Sequence, residues 1–258
     1  MKNGLLSKLE KFLFAASSIA SPMKCFLCEE VVGDERFPVC SDCMGTFLAM
    51  FKKRCHVCNR VPLWCRCHIF CLDSIFTVLF WYKDPRLKDA IYRFKHQADL
   101  RHIVFLAKLI AERLPPKRRY DAVCYVPRKY SSINQYGYDQ SRLLAKYIAE
   151  TIGVPLIHPL VTDVFGKEQK SLSSVERLKN TKNRYRVKTS RLYNKNGVLY
   201  KNLLLVDDVV TTGATMLECS TVLKRAGVAN VDYAAVAKTA YELKKAKRVS
   251  SYVARPTK

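Results

Sequence analysis

Leu203-Leu204-Leu205-Val206-Asp207-Asp208-Val209-Val210-Thr211-Thr212-Gly213-Ala214-Thr215 reads as an apolar strand, an acidic pair and a small-residue turn that opens a helix. The run ending at Val206 is short and apolar enough for a strand buried on both faces. The helix predicted from Ala214 to Arg225 starts with unpaired backbone N–H groups, and its dipole favours an anion there. Thr211, Thr212 and Thr215 add hydroxyl donors, and Gly213 lets the backbone approach a phosphate closely. Asp207 and Asp208 can accept hydrogen bonds from vicinal hydroxyls while facing away from that phosphate. A phosphate at one end and a diol at the other describe a ribose 5-phosphate.

The chain around this stretch alternates strand and helix patterns. Strands are predicted at Ile75 to Tyr82, Ala122 to Val126, Val154 to Ile157 and Val231 to Val236. A helix opens at Asp84-Pro85, with proline where its missing N–H costs little. A second runs through Ile103 to Arg113 and stops at Pro115-Pro116, and a third runs from Ser141 to Thr151 and ends near Gly153. The segment from Lys167 to Lys201 is polar and basic, and reads as a helix with a hairpin arm or as a loop over the site. This alternation gives an α/β fold with a parallel sheet flanked by helices. A ligand belongs beyond the carboxyl ends of its strands, where Asp207 to Thr215 and Pro127 to Lys129 both fall.

The 258 residues include 45 Lys and Arg against 22 Asp and Glu, a formal net charge of +23. Such an excess favours polyanionic partners, nucleic acid or phosphate-rich substrates among them. No apolar run reaches the ~18 residues that a membrane-spanning helix needs. Leu5, Leu6, Leu9, Phe12, Leu13, Ala16, Ile19 and Ala20 follow helical spacing with lysines interleaved, and Ser17 and Ser18 interrupt the apolar centre. That pattern predicts an amphipathic N-terminal helix over 1–24 rather than an export signal, and hence a cytoplasmic protein.

Nine of eleven cysteines lie between residues 25 and 71, as Cys25-x2-Cys28, Cys40-x2-Cys43, Cys55-x2-Cys58 and Cys65-x-Cys67-x3-Cys71. Each C-x-x-C turn converges two thiolates on one cation, and two turns complete the tetrahedral S4 shell of structural zinc. Disulfides are the alternative, and the regular spacing favours metal. The simplest assignment places Cys25, Cys28, Cys40 and Cys43 on one ion, and Cys55 and Cys58 with two of Cys65, Cys67 and Cys71 on a second. His68 is an alternative ligand, and interleaved pairing stays open. Cys124 and Cys219, in apolar contexts, read as buried residues.

The opening stretch resembles the phosphoribosyl-diphosphate (PRPP) motif of type I phosphoribosyltransferases over all thirteen positions. The order of cysteine knuckles, basic helix and PRPP motif resembles the ComF family, linked to competence for natural transformation, over nearly the whole chain. Ser21-Pro22-Met23-Lys24-Cys25 looks like that family's entry into its zinc ribbons, and Arg93-Phe94-Lys95-His96 is similar to its short basic helix motif. Tyr136-Gly137-Tyr138-Asp139-Gln140-Ser141 looks like its Arg-Gly-Phe-Asn-Gln-Ser segment, with Tyr136 for Arg and Asp139 for Asn. Gln169, Arg177 and Asn180 resemble its later Gln…Arg…Asn pattern.

The resemblance implies a zinc-ribbon module over 25–71, a type I phosphoribosyltransferase-like domain over 72–240 and a basic tail over 241–258. It implies that Asp207, Asp208, Thr211, Thr212, Gly213, Ala214 and Thr215 bind PRPP, with magnesium offsetting the diphosphate charge. Arg128, with the Val126-Pro127 turn, would form the pyrophosphate loop, and Lys95 and Arg177 are further candidates for charge near the leaving group. In purine-salvage relatives an acid follows the apolar pair after the carboxylates. Thr211 holds that place here, so the motif shows no general base. Two functions follow. One is a PRPP-binding protein in DNA uptake that binds single-stranded DNA, with other uptake proteins as partners, and in which bases could stack near Tyr82, Tyr92 and Phe94. The other is a metabolic phosphoribosyltransferase acting on an unidentified nucleophile and releasing pyrophosphate.

Overall fold

A computed structural model describes residues 22–33, 37–52, 74–82, 85–96, 99–128, 138–162, 184–211 and 213–238. The predicted N-terminal helix lies almost wholly outside these residues, as do the basic tail, Cys55, Cys58, Cys65, Cys67, Cys71, His68, Tyr136, Arg177 and Thr212.

Strands β1 (Phe76–Trp81), β2 (Ala122–Tyr125), β5 (Asn202–Val210) and β6 (Asn230–Lys238) form one sheet in the order β1-β6-β5-β2. Every pair in it is parallel. Helices α1 (Ser41–Lys52), α2 (Pro85–His96), α3 (Leu100–Arg113), α4 (Gln140–Ile152) and α5 (Ala214–Arg225) surround it. The expected parallel sheet flanked by helices is therefore present, with the motif strand β5 in its interior.

Alternation along β5 explains the two layers. Leu204 and Val206 join the core shared with α2, α3 and α4, while Leu203 and Leu205 join the core shared with α5. Successive side chains of a strand point to opposite faces, so a run of apolar residues marks a strand covered on both sides. The helices end where their sequences say. Asp99 caps α3 by accepting from the Arg101 N–H at 2.8 Å, and Asp139 caps α4 by accepting from the Arg142 N–H at 3.1 Å. Gly153 takes the left-handed conformation (φ 72°) that closes α4.

Three local expectations are revised. First, β5 does not end at Val206 but continues through both acids to Val210, pairing Asp207 with Ala235 and Val210 with Lys238. Second, residues 154–157 make only a single parallel bridge, Val123 to Leu156. Pro155 accepts from the Val123 N–H but has no N–H of its own to extend a ladder. Third, within the region from Lys167 to Lys201, read as a helix with a hairpin arm or a loop, β4 (Tyr185–Val187) pairs antiparallel with β3 (Leu160–Thr162), which precedes that region, and a 3-10 turn follows at Thr189–Leu192. No described helix is long and apolar enough to cross a membrane.

The cysteine-bearing segment does not sit apart from the sheet. Phe47 of α1 packs edge-on against Phe80 of β1 (ring centroids 5.4 Å) and lies 5.8 Å from Phe105 of α3. Phe37 meets Phe105 at 4.8 Å, and Phe51 meets Phe80 at 4.8 Å. Phe47 is buried at the middle of this aromatic cluster. Phe47→Ala should therefore destabilise the whole chain by about 3–5 kcal/mol. Chemical denaturation followed at once by a probe near α1 and one on the sheet should show a single shifted transition.

Candidate functional site

The site begins with the acidic pair at the carboxyl end of β5. Asp208 is buried, and its Oδ2 accepts from the Arg128 guanidinium at 2.5 Å and lies 3.6 Å from Lys95 Nζ. Its Oδ1 accepts from the Val209 N–H at 2.6 Å. Asp207 Oδ1 accepts from the Ser141 hydroxyl at 3.0 Å and from the Asp208 N–H at 2.9 Å. Four sequence segments thus meet at one strand end: the last turn of α2, the turn after β2, the first turn of α4 and β5 itself.

Burial, and after it the charge of Asp208, pushes the Asp207 carboxyl up to about 8 from an unfolded value of 3.8. Asp139 is also raised, by burial first, while its cap hydrogen bond and the nearby Arg128 act the other way. Helix α5 starts just past the pair. Gly213 sits at its N-cap with φ 75°, a left-handed conformation that glycine adopts without strain. A glycine cap brings no side chain over the helix end, where an anion is favoured.

Lys95 and Arg128, named from the sequence as charge candidates, converge on Asp208, whereas Arg177 and Thr212 lie outside the described residues. Sequence reasoning gave no role to Ser141 or Gln140. Ser141 is fully buried and holds Asp207, and Gln140 is fully buried and donates from Nε2 to the Lys95 carbonyl. Their signal was the match of both to the last two positions of the family's Arg-Gly-Phe-Asn-Gln-Ser segment. Phe94, offered as a base-stacking residue, is core, because it points inward with Leu87 and Ile91 on the buried face of α2. Tyr92 is 64% exposed, with its ring 4.3 Å from that of His96.

Upstream of the sheet in the sequence, the sulfurs of Cys25, Cys28, Cys40 and Cys43 all lie within 4.8 Å of one another. The backbone turns at Cys25–Cys28, with the Glu29 N–H donating to the Cys25 carbonyl at 3.0 Å and Glu29 itself left-handed at φ 67°. Cys40 and Cys43 flank the start of α1, whose N-terminal dipole favours thiolates. Burial raises the Cys25 thiol, but N–H donors from Cys40, Cys28 and Leu27 outweigh it and bring the group down to about 7. The Cys43 thiol is pushed up by burial and by the neighbouring cysteines. Four soft sulfur donors at this spacing fit one tetrahedral metal ion. The first of the two expected ligand sets is thus assembled by the fold.

Fold and site together define a parallel α/β protein with an acidic pair at an interior strand end and, packed on the same core, a four-cysteine cluster that could hold a metal ion. No family model matches the chain. It is 29% identical over 221 residues to Competence protein F of Haemophilus influenzae, covering 83% of this chain and 89% of that protein. It is 25% identical over 230 residues to Competence protein ComFC of Streptococcus pneumoniae, covering 81% and 97%. These two relatives bear out the ComF resemblance carried by the motifs. Among solved structures, the glutamine PRPP amidotransferase from B. subtilis aligns with 56% of this chain at 19% identity and a TM-score of 0.39, and the chain spans 30% of that enzyme's length. The adenine phosphoribosyltransferase of Saccharomyces cerevisiae aligns with 62% of this chain and 77% of its own at 15% identity and a TM-score of 0.35.

The raised Asp207 carboxyl sets a pH dependence. Between 3.8 and about 8 the folded chain holds this proton while the unfolded chain has released it. Stability from this group therefore falls as pH rises through that window and levels off above it. Asp207→Asn should remove that fall, so that denaturation midpoints measured from pH 5 to 9 decline less in the variant than in the wild type.

Proposed function

We propose that this chain is a PRPP-binding protein of the ComF kind that acts in DNA uptake and binds single-stranded DNA. The observation that carries the reading is the meeting of Asp207 and Asp208 with Arg128 and Lys95 beside the N-terminus of α5. In the proposed complex the ribose hydroxyls face the two carboxylates. The 5-phosphate sits at Thr211 to Thr215, and the diphosphate is held by Arg128 and Lys95, with Arg177 as a further cation. The carboxylates and the diphosphate are hard oxygen donors that suit magnesium, which neutralises diphosphate charge when it accompanies PRPP. The four sulfurs suit zinc in a structural role.

Single-stranded DNA binding rests on the +23 charge and on Tyr92, an exposed ring on the same helix that carries Lys95 into the site. Two relatives named as competence proteins support the cellular setting. Transfer of the phosphoribosyl group to a nucleophile, with pyrophosphate released, is the second reading. Asp207 and Asp139 favour it, because carboxyls raised from the ordinary range hold and pass protons nearer neutrality.

Calorimetric titration with PRPP and magnesium tests the first part. The wild type should bind, and the doubly substituted Asp207→Asn/Asp208→Asn protein should lose at least tenfold in affinity while staying folded. Equal affinities would overturn the assignment, and pyrophosphate release on adding candidate nucleophiles would establish the second reading. For DNA, anisotropy titrations of a single-stranded oligonucleotide should weaken steeply with salt, at about −0.7 in log–log slope per phosphate contact. Tyr92→Ala should cost about 1–3 kcal/mol without changing that slope.

A further inference from the structure

We infer that Arg93 is a positioning residue that ties the state of the cysteine metal centre to Lys95 in the phosphoribosyl site. The inference rests on the phosphoribosyl reading only for its consequence on ligand affinity, not for the strut itself. Arg93 Nη2 donates to the carbonyls of Phe26 at 3.2 Å and Leu27 at 2.9 Å, the two residues between Cys25 and Cys28. Its Nε lies 3.4 Å from the Glu29 carboxylate. One guanidinium thus grips Phe26, Leu27 and Glu29 of the first cysteine turn, the last of them held at φ 67°.

Two residues further along the same helical turn, Lys95 reaches Asp208, and its carbonyl is braced by Gln140 of α4. Phe94 between them is buried in the shared core. The end of α2 is therefore held from one side by the knuckle and from the other by the site. A planar fork with fixed donor directions transmits position in a way a flexible ammonium does not. Without metal, four crowded thiols, two of them buried, lose the ion that fixes their turn. The carbonyls of residues 26 and 27 then shift, Arg93 loses its seat, and Lys95 leaves Asp208. By linkage, a ligand that engages Lys95 tightens metal binding by the same factor that the metal tightens ligand binding.

Lysine footprinting by reductive methylation and mass spectrometry tests this on the full chain, with Lys224 on α5 as internal reference. In the zinc-loaded wild type Lys95 should react several-fold more slowly than after zinc is stripped. Arg93→Ala, with wild-type zinc content, should label at Lys95 as fast as the stripped wild type. Glu29→Gln, a surface change that leaves the fold intact, should give about a twofold rise. Wild-type labelling of Lys95 in both zinc-loaded variants would overturn the strut. PRPP titration of the same samples should show about tenfold weaker binding in Arg93→Ala. Should no sample bind PRPP, the phosphoribosyl reading fails while the footprint still decides the role of Arg93.

Discussion

Everything at the site follows from placing two adjacent carboxylates at the end of an interior strand. A buried charge is costly unless paired and hydrogen-bonded. Asp208 meets that demand through Arg128, Lys95 and the Val209 N–H, and Asp207 through Ser141 and the Asp208 N–H. These partners come from three other segments, so satisfying the acids fixes where α2 and the turn after β2 end and where α4 begins. Apolar residues of similar volume would serve a sheet interior as well or better, since a buried ion pair is weak support for stability. Stability alone therefore does not account for the arrangement.

The sheet order makes this convergence geometrically simple. With β5 between β6 and β2, its carboxyl end lies between two parallel neighbours, and α5 connects it to β6. The aromatic cluster then fastens the cysteine segment to the same body. Phe47 and Phe37 reach into the layer formed by Phe80 and Phe105, so the metal centre and the acidic pair are two ends of one packed structure. Arg113, lying 4.4 Å over the Phe51 ring, closes the outer edge of that cluster.

Much of this was legible in the residues. Period and punctuation placed the helix ending at Gly153 and the helix from Ala214 to Arg225, because caps and glycine breaks act locally. The four-cysteine set followed from spacing, since a C-x-x-C turn is itself local geometry. The extension of β5 through Asp207 and Asp208 was not legible. Two acids end an apolar run on paper, and only distant cations make them tolerable in a ladder. The ribbon of Leu160–Thr162 with Tyr185–Val187 was hidden for a similar reason, because its pairing spans more than twenty residues and its strands have three residues each. Gln140 and Ser141 match the family segment in type, but the segment does not say what they hold. Their role arises from the direction in which α4 enters the site.

The difference between the two carboxylates bears on how such a site would open to a ligand. Asp208 is held by two cations, whereas Asp207 keeps company with a hydroxyl and a backbone N–H, and burial raises its carboxyl above the ordinary range. In the proposed complex a diphosphate at Arg128 and Lys95 competes with Asp208 for both. Its loss of partners must be made good by new donors, and a vicinal diol supplies two hydroxyls at the right end of the ligand. In the proposed complex the same molecule removes the cations and replaces them, so neither half of the ligand binds as well alone. On the proposed reading, cations and acids are packed against each other rather than set apart because the ligand exchanges one set of partners for the other. Asp208, Arg128 and Lys95 order one another through the contacts that the proposed ligand would separate.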